Sequence, residues 1–254
     1  TVYWEAAMTD YRYDGSFDGF LCCVHAHYYL GKASSILSAA RCAQQSFLNI
    51  VEIETDPQRA NLVYNAIGRK ISPYDLRRVY RIFLAEAEQK EMQLLDYIRL
   101  GFIKGGSVSS HHGHPVVRNA ELLEKKVTQE VCRLKGLVRF SVPESDILYA
   151  KLEPDNDVLE LLANHFADRY KNDPFIIHDL RREKALIAGG GHWYISAFQP
   201  PEAQRYDAKE IAYRRLWKEY FENIAIKERT NPRCQRLFMP MRYRKHLTET
   251  QQNP

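Results

Sequence analysis

Residues 175–198 read FIIHDLRREKALIAGGGHWYISAF, and their pattern sets the fold class of the chain. Phe175 to Asp179, Ala185 to Ala188 and His192 to Phe198 are short runs rich in β-branched and aromatic residues, as expected of strands. The last two are joined through Gly189-Gly190-Gly191, where successive positive φ angles cost glycine little, so a hairpin is predicted. No Gly-Lys-Ser/Thr signature follows these glycines, which argues against a phosphate loop. Upstream, residues 137–142 and 147–152 change to a period of two and predict a second hairpin around Pro143-Glu144-Ser145-Asp146. Between the hairpins, Asp155 or Asn156 is expected to cap a helix carrying Val158, Leu161, Leu162, Phe166 and Tyr170. Downstream, Asp207 with Glu210 is expected to cap a long helix bearing Ile211, Tyr213, Leu216, Trp217, Tyr220, Phe221 and Ile224. The order β-β-α-β-β-β-α predicts an α+β protein with an antiparallel sheet, helices on one face and a basic C-terminal tail.

The half that precedes this sheet reads as mainly helical. After a short strand-like stretch at Asp10 to Asp14, Phe17, Phe20, Leu21, Val24 and Tyr28 recur at helical spacing over 16–30, and Gly31 can close that helix. Residues 47–55 alternate as a strand does. Asp56-Pro57 then starts a helix that ends near Gly68, and Ser72-Pro73-Tyr74-Asp75 starts another. A further helix is expected to stop at Gly101. The Gly/Ser/His-rich stretch 104–114 reads as a mobile loop or domain joint ahead of an amphipathic helix over 116–135. The expected division is a helical part at 11–115, a sheet part at 116–226 and a basic extension at 227–254, with one integrated domain as the alternative.

Composition narrows the function classes. With 254 residues, 45% of them hydrophobic and 27% charged, disorder, collagen-like repeats and a coiled coil are excluded. No apolar run approaches the roughly 18 residues a membrane helix needs, and the first nine residues lack a signal-peptide pattern. Five cysteines without a Cys-x-x-Cys pair read as reduced thiols and point to the cytoplasm. His25-Ala26-His27 would point two ways from a helix, and His111-His112-Gly113-His114 has no cysteine or carboxylate set beside it. No metal and no cofactor are expected. Asp14-Gly15-Ser16 opens a helix whose free N–H groups can hold a phosphate, although most helix starts hold none.

Two constellations can carry chemistry. In Asn164-His165-Phe166-Ala167-Asp168-Arg169, Asp168 and Arg169 lie three and four residues beyond His165, on one side of the predicted helix. The next strand ends in His178-Asp179, so His165, Asp168, Arg169, His178 and Asp179 are the candidate acid–base site; the alternative is that they tie helix to sheet. The second constellation is basic. Residues 227–245 hold Lys227, Arg229, Arg233, Arg236, Arg242, Arg244 and Lys245 against one acid, Glu228, which leaves the rest of a +4 chain net negative. Phe238 and Tyr243 are interleaved with these, and Arg181, Arg182 and Lys184 can extend the footprint. Nucleic-acid binding is one reading of this pattern, and a solvated tail or protein contact is the other.

Several segments together resemble a bacterial family of uncharacterised DNA-metabolism or DNA-repair proteins. They are Tyr13-Asp14-Gly15-Ser16-Phe17-Asp18-Gly19-Phe20-Leu21, Tyr97-Ile98-Arg99-Leu100-Gly101-Phe102, Lys135-Gly136-Leu137-Val138-Arg139-Phe140 and Tyr149-Ala150 with Glu153-Pro154-Asp155. His165 to Arg169 with Ile176-Ile177-His178-Asp179 continues the pattern, and Ile226 to Pro232 with Phe238 to Tyr243 ends it, in order across residues 11–247. Cys132 and the 104–114 stretch depart from that pattern. The resemblance implies a radical S-adenosylmethionine (SAM) partner encoded beside the gene, and in some members a fused uracil-DNA-glycosylase-like domain, for which this chain is expected to have no room. The chain lacks the partner's three-cysteine cluster motif, so the iron–sulfur centre is expected on the partner. The favoured expectation is a DNA-binding accessory protein in repair or modification, with Arg181, Arg182, Lys184, Arg242, Tyr243, Arg244 and Lys245 among its contacts. An enzyme acting on a base or sugar linkage and a pure protein-interaction subunit are the alternatives.

Overall fold

Tyr11 and Tyr13 alternate with less buried Asp10 and Arg12 along a five-residue strand, β1 (Thr9–Tyr13), the period that buries one face of a sheet. The computed structural model describes residues 9–39, 50–143, 147–199 and 208–251. Asp207, Cys42, the first residues of the 47–55 strand, most of the 143–146 turn and the side chain of Lys227 lie outside the described residues. The chain divides into two units, Thr1–Val127 and Thr128–Pro254.

In the first unit, β1 pairs in parallel with β2 (Ala33–Ser38) on one side and β3 (Ile50–Glu52) on the other. Helix α1 (Phe17–Tyr29) is the crossover from β1 to β2; Ser16 Oγ caps it by accepting the Gly19 N–H at 2.9 Å. Strand β2 has no counterpart in the sequence reading, because in Ala-Ser-Ser-Ile-Leu-Ser only Ala33 and Ile36 are buried. Helices α2 (Pro57–Lys70) and α3 (Pro73–Phe83) begin at the predicted Asp56 and Ser72 caps, which accept from Gln58 N and Asp75 N. Helix α4 (Lys90–Lys104) runs through Gly101 instead of stopping there. The Ile71 side chain fills the place a Cβ would take, and the helix ends at Gly105, where φ is +62°. The 104–114 stretch contains a 3-10 helix, Gly105–Ser110, whose Val108 is fully buried.

Helix α5 (Pro115–Leu137) begins in the first unit and continues into the second. Its first half supplies Glu124, which accepts from Arg78 Nε at 2.8 Å. Arg78, only 4% exposed, also donates to Tyr97 Oη and Tyr74 Oη, both at 3.0 Å, and Tyr97 in turn donates to Asp75 at 2.6 Å. This buried network joins α3, α4 and α5, each donor and acceptor meeting a partner as burial requires.

The second unit holds β4 (Leu148–Leu152), α6 (Leu159–Arg169), β5 (Phe175–Asp179), β6 (Lys184–Gly189) and β7 (His192–Ala197), with strand order β4-β5-β6-β7. The class is α+β as expected, but the sheet is mixed rather than antiparallel: β4 and β5 are parallel, with α6 as their crossover. The predicted 137–152 hairpin shrinks to one bridge between Ser141 and Tyr149, since β4 takes β5 as its long partner. The glycine hairpin forms, with φ of +60° at Gly190 and +82° at Gly191. Neither Asp155 nor Asn156 caps α6; Val158 occupies the cap position without a side-chain bond, because Asn156 is engaged by Glu130. Helices α7 (Ala208–Ile224), α8 (Pro232–Phe238) and α9 (Met241–Arg244) complete the unit.

Arg78→Met removes one partner of a buried ion pair and leaves the Tyr97 hydroxyl without its donor. Urea denaturation is expected to show a loss of about 3 kcal/mol or more; a loss under about 1 kcal/mol would contradict the structural role given to Arg78.

Candidate functional site

The structure does not assemble the predicted acid–base cluster. Along β5 successive side chains point to opposite faces, so His178 and Asp179 diverge. His178 lies with Tyr149 and Phe198: its Nδ1 is 2.7 Å from Tyr149 Oη, and Phe198 packs edge-on at 5.0 Å. Burial, with the nearby Lys151 cation, holds this imidazole below its usual pKa. Asp179, on the other face, is fully buried and accepts from Arg181 N, Arg182 N and Arg182 Nη1. Burial raises its carboxyl above the usual range even though the Arg182 guanidinium favours the anion. His165 packs edge-on against Phe166, and its buried Nε2 has no partner among the described residues. Phe166 meets Phe140, which meets Phe175, so α6 covers the Phe175 face and not the His178 face. Asp168 and Arg169 are exposed, and neither is joined to His165 by a hydrogen bond or ion pair among the described residues. The five residues therefore fall into four separate environments.

The basic residues sort into two groups. One group is spent on the protein itself, around the loop 153–157. Arg182 donates to the carbonyls of Pro154 and Asp155 as well as to Asp179. Lys184 pairs with Asp157, Arg242 with Asp155 at 2.6 Å, Lys245 with Glu153, and Arg181 lies 4.0 Å from Asp155. The Lys245 ammonium and His246 hold the Glu153 carboxyl below its usual range. Arg244 donates to the Met239 carbonyl at 3.2 Å, and Tyr243 donates its hydroxyl to Glu130. Glu130, 2% exposed on α5, also accepts from Asp155 N, Asn156 N and Asn156 Nδ2. Glu130 is not among the residues that the sequence pattern singles out, although it sits three residues after buried Val127 in an otherwise apolar stripe.

The other group is displayed. Arg229, in a 3-10 turn, and Arg233 and Arg236 on α8 are exposed and make no ion pair among the described residues. They follow a helix with an unusual surface. One face of α7 is tied down: Glu210 accepts from Val142 N and Arg214 Nε, and Trp217 donates to Glu249, itself paired with Arg139 at 2.8 Å. The adjacent stripe Tyr213, Leu216, Tyr220 and Ile224 recurs at three- and four-residue spacing and is exposed, each residue by 55% or more. Lys209, one turn before Tyr213, lies on the same stripe. Contiguous exposed apolar side chains of this kind mark contact surfaces.

The remaining sequence candidates are accounted for locally. Asp14 accepts from Ser16 N, Ser16 Oγ and Thr55 Oγ1; burial works against its anion, but these hydrogen bonds hold its carboxyl below the usual range. A carboxylate thus already supplies negative charge at the start of α1, which disfavours a phosphate there. His27 is buried and its Nδ1 accepts the Ala33 N–H at 3.0 Å, while His112 contacts Glu121.

Two outcomes follow from this chemistry. Tyr243→Phe strips one donor from the Glu130 carboxylate, and a stability loss of about 1–3 kcal/mol is expected in urea; no loss would mean the contact is not made in solution. His27, His178 and His246 are all held below the ordinary imidazole value of about 6.5 by burial. In that window the unfolded chain binds more protons than the folded one, so stability must fall as pH drops below about 6.5. A Tm series from pH 8 to pH 5 checks this, and His178→Phe should flatten part of the fall; a Tm that rises toward pH 5 contradicts it.

Comparison with known proteins gives a family but no activity. No curated protein matches the chain. The profile of a family described as a domain of unknown function, DUF4130, matches residues 88–249, which include all of α5 to α9. That span covers more than half of the chain, and the protein belongs to the DUF4130 family.

Proposed function

We propose that the chain is a nucleic-acid-binding accessory protein of DNA repair or modification, and that α7 and the segment through α8 form its contact surface. The observation that carries this reading is the exposed Tyr213/Tyr220 stripe followed by Arg229, Arg233 and Arg236. The two tyrosines are seven residues apart, about 10 Å along a helix axis, and offer flat faces to unstacked bases. The arginines supply guanidinium groups to phosphates without first breaking a pair. Single-stranded nucleic acid fits best, since stacking on a tyrosine needs a base whose face is free. A radical SAM protein is proposed as the enzyme this chain serves, on the family resemblance alone.

A protein-interaction subunit is the second reading, favoured by Leu216, Ile224 and Leu237, exposed aliphatic side chains that no base would stack on. An acid–base enzyme has no comparable support, because His165, His178 and Asp179 lie in different environments.

Replacing Arg229, Arg233 and Arg236 by alanine together is expected to weaken binding of a labelled single-stranded oligonucleotide. The slope of log K against log salt should flatten by about 2, three phosphate contacts at ~0.7 each. Tyr213→Ala and Tyr220→Ala should each cost about 1–3 kcal/mol of affinity with the slope unchanged. Wild-type protein that binds no oligonucleotide at low salt, yet binds a partner protein regardless of salt, would transfer the surface to the second reading.

A further inference from the structure

The first unit contains a cavity of about 420 Å³ between α1, α2 and the end of α4, within the size range of small-molecule sites. Its apolar lining includes Val24, Val63 and Ala66. Aromatic rings line it too: His25 stacks on Tyr29 with centroids 4.4 Å apart, and Tyr28 meets Phe102 edge-on at 6.1 Å. Lys70, in the last turn of α2, is the charged residue lining it among the described residues, and none of those lining it is a carboxylate. Lys70 Nζ, the Tyr28 and Tyr29 hydroxyls and the His25 ring nitrogens make no hydrogen bond among the described residues.

From this combination we infer that the cavity binds a nucleotide, a planar heteroaromatic ring carrying a phosphate. An apolar lining with exposed aromatic faces suits a flat ring, and the polar tips of His25, Tyr28 and Tyr29 suit ring heteroatoms that a purely aliphatic ligand would leave unpaired. One ammonium without a competing carboxylate suits an anion, with Lys70 contributing a charge-assisted hydrogen bond. The inference rests on the first unit alone and does not depend on the α7–α8 reading. The same chemistry can come from a free mononucleotide or from one residue of a strand.

The test is titration of the full chain with thymidine and adenosine 5′-monophosphates, the two nucleosides and inorganic phosphate, followed by protein NMR shifts. The nucleotides are expected to saturate with Kd below about 1 mM, and the nucleosides to bind about tenfold more weakly. Lys70→Ala should abolish that difference, while Tyr29→Ala should weaken nucleotide and nucleoside alike by about tenfold. Both side chains are exposed, and circular dichroism verifies that the variants fold. The shifted resonances are expected to map to α1, α2 and the end of α4 and not to α7 or α8, which separates this site from the proposed α7–α8 surface. A thymidine oligonucleotide weakened by Tyr29→Ala identifies a strand residue as the occupant, and one indifferent to it identifies the free nucleotide. No saturable binding of either nucleotide, or binding indifferent to both Lys70→Ala and Tyr29→Ala, overturns the inference.

Discussion

The Glu130 carboxylate is buried on α5 and satisfied by donors from two distant parts of the chain, the Asp155-Asn156 backbone with the Asn156 side chain, and the Tyr243 hydroxyl. A buried anion is tolerated only with such a full set of partners. Meeting that demand positions the loop between β4 and α6, and with it Glu153, Asp155 and Asp157, the acids that engage Lys245, Arg242 and Lys184. Asp179 and Arg182 brace the same loop from the end of β5. The second unit depends on this one constraint for the course of its C-terminal segment.

Its consequence is a division of the basic region by role. Charges that are adjacent in sequence differ in what they can still do: Arg242 and Lys245 hold the segment against the loop, whereas Arg229, Arg233 and Arg236 remain turned to solvent. Helix α7 shows the same split on a smaller scale, with Glu210, Arg214 and Trp217 anchored and Tyr213, Leu216, Tyr220 and Ile224 displayed. A net positive charge says little about a partner until the paired charges are subtracted.

Much of the fold was legible where it is local. Ser16, Asp56 and Ser72 each cap a helix through a partner two or three residues away, and Gly190 and Gly191 turn a hairpin, so short windows of sequence contain all the information. What was not legible is non-local. Strand β2 is polar and earns its place through register with β1, and β4 prefers a parallel partner beyond α6 to the antiparallel one next to it in sequence. The candidate site followed the same rule. Spacing put His165, Asp168 and Arg169 near one another, but strand alternation sends His178 away from α6, and nothing within five residues of Arg242 announces its bond to Asp155. The apolar period of α7 was visible, whereas its exposure was not, since periodicity records a face without recording what covers it.

Hydrogen–deuterium exchange of the full chain, with and without a short single-stranded oligonucleotide at low salt, tests the central claim most directly. The account predicts ligand-dependent protection across α7 and α8, with the amides of 153–157 and 242–245 unchanged, because those segments are already engaged within the protein. Protection centred on 242–245 while α7 and α8 exchange as before would contradict it.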